Sequence, residues 1–251
     1  MFEDPEYGWI YAHGSFVHLL GADGEMLTLG PDLWLHGSTG YISFSGSGAA
    51  AIELQGTLSA DVSGRTITVA TTTNKDFTIA STGVAEAING GNLTFSGAGT
   101  VTNNNQMSAT GGGTLTVGQF GATTVVNAAG ASITATDSTL NLGANAGTFD
   151  NDGTVSVDNS TLKLDGDWNT DDGTITALSS TVQLAGTFVP ADLTNFQRGS
   201  TAGIDADDGT VELRGTLDME AGEFTLDATS GPWQLVGGTF TNGTLKIDSA
   251  A

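Results

Sequence analysis

Along most of this chain apolar residues alternate with polar ones: Val155 and Val157, Leu162 and Leu164, Ile175 and Ala177, Val182 and Leu184. Alternation at period two, rich in β-branched residues, predicts short half-buried strands. Gly, Asn and Asp stand between the runs, where turns need positive φ or a side chain that bonds its own backbone. Helical spacing is almost absent, and Pro190 to Gln197 is the one stretch suited to a turn of helix.

The runs repeat. Residues 130–142, 153–164 and 173–184 align so that Ser132, Thr154 and Thr174 fall in register, as do Ser138, Ser160 and Ser180. Both sets are spaced 22 and then 20 residues apart. A third run follows each pair, at Gly147–Phe149, Gly166–Trp168 and Gly186–Phe188. Three strands per period of roughly 20–22 residues predict a parallel, right-handed β-solenoid of triangular coils, with like positions stacked at about 4.8 Å. The alternative is an antiparallel β-sandwich. Its hairpins need type I′ or II′ turns, and Asn-Gly occurs only at Asn89-Gly90 and Asn242-Gly243. Looser copies at 57–117 and 209–247 extend the pattern to about twelve coils, a rod on the order of 55 Å long.

The first 45 residues differ. They hold all three Tyr, all three His and two of the four Trp. Gly21 to Gly24 reads as a hairpin turn between an apolar run ending at Leu20 and one from Glu25 to Leu29. Residues 1–45 are therefore expected to form a small antiparallel cap and 46–251 the rod, joined at Ser45–Gly48. No polar helix or loop covers the last strand before Ala251, so either the chain continues or another subunit docks on it. Trp9, Tyr11, Phe16 and Trp34 at one end, with Leu245 and Ile247 at the other, are the expected assembly residues.

At Leu193–Arg198, Gly215–Asp218 and Gly231–Leu245 the sequence resembles the repeats of very large bacterial surface and autotransporter-like β-helix proteins. The likeness extends over roughly residues 90–251. It implies a parallel β-helix exposed at the cell surface with an adhesin-like role, and it transfers no functional residue.

Composition narrows the partners. With 28 Asp and Glu against 6 Lys and Arg, the formal charge is −22, which disfavours nucleic acid and anionic membrane surfaces. Charged residues are only 14% of the chain, too few for an acidic disordered tail. Cysteine is absent, so no disulfide, thiolate metal site or Cys nucleophile is available. The Gly, Thr, Ser, Asn and Ala bulk suggests an extracellular or cell-surface protein, although the opening residues carry no basic and apolar leader. No apolar run is long enough to span a membrane. The expected partner is the protein itself, in an end-to-end oligomer or filament, with surface glycans as the alternative.

Candidate chemistry is sparse. Acids at Asn169–Asp172 and Asp205–Asp208 raise the possibility of glycoside hydrolysis, which needs one protonated and one ionised carboxyl at a fixed separation. The Gly-His-Gly and Arg-Ile-Lys of polygalacturonase-like enzymes are missing, no His follows His36, and the cations are scattered. These acids read as solvated turn residues, and no catalytic residue is assigned. Asp165, Asp167, Asn169, Asp171 and Asp172 open like a calcium loop and are the candidate ligands for that ion, the one cofactor considered. Thr170 stands where the sharp-turn Gly belongs, and Thr176 where the final Glu does. His13, His18 and His36, near Asp23 and Glu25, match no known metal-ligand spacing. Phe149, Trp168 and Phe188 predict an aromatic row inside the coil; outside, it would be a sugar-binding strip. Thr-x-Thr units at 66–68, 114–116 and 174–176 raise ice binding but do not recur coil after coil.

Overall fold

The computed structural model describes residues 9–19, 24–44, 48–143, 147–170, 172–198, 209–227 and 233–248, with side chains from residue 24 onward. The chain is an all-β parallel solenoid. One coil shows why. Ser132–Thr136, Thr139–Leu142 and Thr148–Asn151 form its three sides, and each pairs in parallel with the strand one turn later: Thr154–Asp158, Thr161–Leu164 and Asp167–Asn169. These sides define a first, second and third face. Among the described residues ten strands stack on the third face, from Met26–Leu29 to Thr239–Thr241. At the strand spacing these described rungs span about 43 Å, less than the length of about 55 Å expected of twelve coils.

Alternation decides which residues enter the core. On the first face Ile133, Val155 and Ile175 point inward in one column, while Ser132, Thr154 and Thr174 point outward in register. On the third face Phe149, Trp168 and Phe188 stack in the interior, all essentially buried, and the indole of Trp168 lies 5.0 Å from the Phe188 ring. Each large apolar side chain so buried is worth about 1.5–3 kcal/mol against exposure.

Corners are closed by side chains that bond from coil to coil. Between the first and second faces, Asp137, Asn159 and Ser179 adopt positive φ, with the Ser138, Ser160 and Ser180 ladder beside them. The Ser138 N–H donates to Ser160 Oγ and the Ser160 N–H to Ser180 Oγ, both at 3.1 Å. Between the third and first faces runs a buried asparagine ladder, in which Asn103 Nδ2 donates to Asn127 Oδ1 at 2.9 Å and Asn127 Nδ2 to Asn151 Oδ1 at 2.7 Å. Each amide also donates to the first-face strand of the following coil, at Ser132, Thr154 and Thr174 oxygens.

One corner needs glycine twice over. Gly186 has φ +72°, and a Cβ there would stand 1.9 Å from the Gly166 carbonyl oxygen of the coil below. Gly130 has φ +83° with nothing within 4 Å of its added Cβ. Gly130→Ala should therefore cost only the left-handed penalty, about 1 kcal/mol. Gly186→Ala adds a backbone clash and should cost about 3 kcal/mol or more. Urea midpoints of the two variants check this, and equal losses would contradict the stacking at that corner.

The amino-terminal block corrects an expectation. Trp9–Leu19 pairs in parallel with Trp34–Phe44, and Met26–Leu29 pairs in parallel with Ala50–Leu54. There is no antiparallel cap over these residues: they form the first rungs of the same solenoid, and pairing runs across the boundary placed at residue 45. Trp9–Leu19 and Met26–Leu29, which flank the expected hairpin turn, lie in different sheets and do not pair with each other. Residues 20–23 and 45–47 lie outside the described residues. The helical turn is found at Pro190–Leu193 as a 3₁₀ turn, followed by Phe196–Arg198 on the first face.

Candidate functional site

The candidate calcium ligands are spread along a corner and a strand. Asp165 Oδ2 is 2.7 Å from Lys163 Nζ, and its Oδ1 accepts the Gly166 N–H at 2.9 Å, so both oxygens are engaged within the protein. Asp167 and Asn169 alternate with the inward Trp168 along the strand Asp167–Asn169, and Asp172 is exposed at the next turn. Asp171 and the Asp205–Asp208 run lie outside the described residues. Among the described residues no three His, Asp or Glu side chains gather closely enough to hold a metal ion. The Thr-x-Thr units are divided between faces: Thr66–Thr68 and Thr114–Thr116 lie on the second, Thr174–Thr176 on the first.

The solenoid brings together a polar cluster that the linear sequence does not display. On the first face, near the amino-terminal rungs, the Trp34 and His36 rings stack with centroids 3.9 Å apart and planes at 12°. His36 Nδ1 lies 2.9 Å from Asp61 Oδ2, and both side chains are mostly buried. His36 is in register with Ser59, and Ser59 with Glu86. The buried Ser59 hydroxyl donates to Glu86 Oε1 at 2.8 Å. Partners here are 25 and 27 residues apart, which is one coil in each case.

The assembly residues fall in two settings. Trp9, Tyr11 and Phe16 lie on the outermost described strand at the amino-terminal side, opposite Trp34, His36 and Tyr41. The side chains of the first three lie outside the described residues. Trp34 projects from a lateral face and is 42% exposed. At the other side Trp233–Leu235, Thr239–Thr241 and Thr244–Ile247 are the outermost described strands of their sheets. Leu235 occupies the column of Leu213 yet is 64% exposed, against 1% for Leu213. Ile247 is 71% exposed, and Leu245, opposite Phe224, is half-buried. The aromatic row Phe149, Trp168 and Phe188 is inside the coil, where it cannot serve as a sugar-binding strip.

No protein-family model, curated protein or solved structure matches this chain. No helix among the described residues is long and apolar enough to cross a membrane.

Proposed function

We propose that this protein is a structural, non-catalytic β-solenoid of the cell exterior, an adhesin-like or fibre-forming subunit that joins copies of itself end to end. The observation that carries the reading is the last described rung. Leu235 and Ile247, on the outermost described strands of their sheets, are mostly exposed, while Leu213, one coil earlier in the Leu235 column, is buried. An edge strand with bare N–H and C=O groups beside apolar side chains is a template for another parallel rung. On the opposite side Trp9–Leu19, eleven residues long, is the outermost described strand. The lateral faces carry Thr, Ser, Asn and acids, which disfavour side-to-side packing, so contact runs along the axis.

Charge sets the conditions. Copies at −22 repel one another, and salt screens that repulsion, with a Debye length of about 10 Å at 0.1 M. Light scattering and negative-stain microscopy of the purified chain should show rods lengthening with concentration and with added salt. The double variant Leu235→Asp, Ile247→Asp should stay monomeric while its melting temperature changes little, because both side chains are already exposed. Isolated single rods at all concentrations and salt levels would overturn end-to-end assembly.

A further inference from the structure

Trp34, expected to serve assembly, stands instead on a lateral face and is an exposed aromatic ring that end-to-end contact leaves unused. Outward positions on the three faces are mostly Thr, Ser, Asn and acids, yet here an indole stands 42% exposed on the first face. It is also held in place. The imidazole of His36 lies parallel to it at 3.9 Å, and His36 is fixed in turn by Asp61 Oδ2 at 2.9 Å. A ring already stacked on one face loses little side-chain freedom on binding, which is how a preorganised platform gains affinity. In the neighbouring column Ser59 holds Glu86 Oε1 at 2.8 Å, which leaves the second carboxylate oxygen to accept hydrogen bonds. Glu86 is two rungs from the Trp34 rung, about 10 Å along the rod, a separation that a chain of several linked sugar rings covers.

We propose that Trp34, backed by His36 and Asp61, together with Glu86, held by Ser59, forms a lateral binding site for a neutral sugar chain. A pyranose presents an apolar C–H face that stacks on an indole and a rim of hydroxyl donors for a carboxylate acceptor. Anionic glycans are disfavoured by the acidic surface, and a neutral chain suffers no such repulsion. The site lies on the wall of the rod, so it stands or falls independently of assembly at the ends.

Isothermal titration of the full chain with neutral hexaoses of glucose, mannose and N-acetylglucosamine tests this. Saturable binding to at least one of them is expected, changed less than twofold between 0.05 and 1 M NaCl. Trp34→Ala should weaken it at least tenfold, Trp34→Phe should hold it within about threefold, and Glu86→Gln should weaken it several-fold. Circular dichroism melting of each variant confirms that the coil persists. The Leu235→Asp, Ile247→Asp variant should bind as the parent does, which separates this site from assembly. No saturable binding to any hexaose, or binding indifferent to Trp34→Ala, would overturn the proposal. So would binding abolished by salt, because ring stacking and hydrogen bonds to an uncharged sugar are not screened by ions.

Discussion

Trp168→Ala is expected to remove about 4 kcal/mol of folding stability. Trp168 is the largest side chain of the interior, 2% exposed, in register with Phe149 and stacked on Phe188 at 5.0 Å and 29°. Its Nε1 donates to the Ala185 carbonyl at 3.3 Å, so truncation leaves a buried acceptor unpaired as well as a cavity. The third-face strands on either side are backbone-paired to this one and cannot collapse inward to fill the space. Because each coil contacts only its neighbours, the damage should concentrate at this level of the stack. Hydrogen exchange should then show lost protection around 148–151 and 187–188 before residues of the amino-terminal rungs. Urea denaturation supplies the magnitude. Trp168→Phe, which keeps a ring against Phe188, should lose clearly less than the alanine variant. A loss below about 1 kcal/mol for Trp168→Ala would show that the site is not packed as described.

Asn127→Ala should cost about 3 kcal/mol, an unusual amount for a polar residue. Asn127 is fully buried and is the middle member of its ladder, accepting from Asn103 and donating to Asn151 Oδ1 and the Thr154 carbonyl. Alanine leaves the Asn103 amide and the Asn151 and Thr154 acceptors short of partners where water does not reach. Asn141 offers the control. It also bonds across a coil, Nδ2 to Thr116 Oγ1 at 3.1 Å, but from a half-buried outward position where water replaces the lost partner. Asn141→Ala should therefore cost about 1 kcal/mol or less. Equal losses at the two positions, read from denaturant midpoints, would contradict the structural role given to the buried ladder.

The sequence shows the solenoid most clearly where successive coils have corners of similar length. The alignment of Ser132, Thr154 and Thr174, the Ser138–Ser160–Ser180 ladder and the inward aromatic row all stand in the structure as read from the repeats. The asparagine ladder was less visible because its members are 24 residues apart, whereas the serines on the neighbouring corner are 22 and 20 apart. Loops of different length enter between faces, so one coil has no single period. Asn103, Asn127 and Asn151 also sit where the alternation ends, and at such positions Asn reads as an ordinary turn residue.

The amino-terminal correction has a related cause. Gly and Asp serve a hairpin turn and a solenoid corner equally well, and alternation says which face is buried without giving strand direction. Only the pairing of Trp9–Leu19 with Trp34–Phe44 distinguishes them. The Trp34, His36, Asp61, Ser59 and Glu86 cluster was hidden for a simpler reason: its members come from three successive coils. Trp34 and His36 were visible as candidates one residue at a time. Their partners were visible only after the coils were stacked.

The central claim is that successive rungs lie parallel and in register, and a spin-label ruler tests it most directly. The chain has no cysteine, so paired Cys substitutions can be placed freely. Thr216, Thr187, Thr148, Thr124 and Thr100 share one outward column of the third face, with Asp167 between Thr187 and Thr148. With one label fixed at Thr216, distances to labels at 148, 124 and 100 should rise in even steps of about 4.8 Å per rung, reaching about 24 Å at Thr100. Distances that fail to rise in that order, or that alternate as strands reverse direction between two facing sheets, would contradict the account.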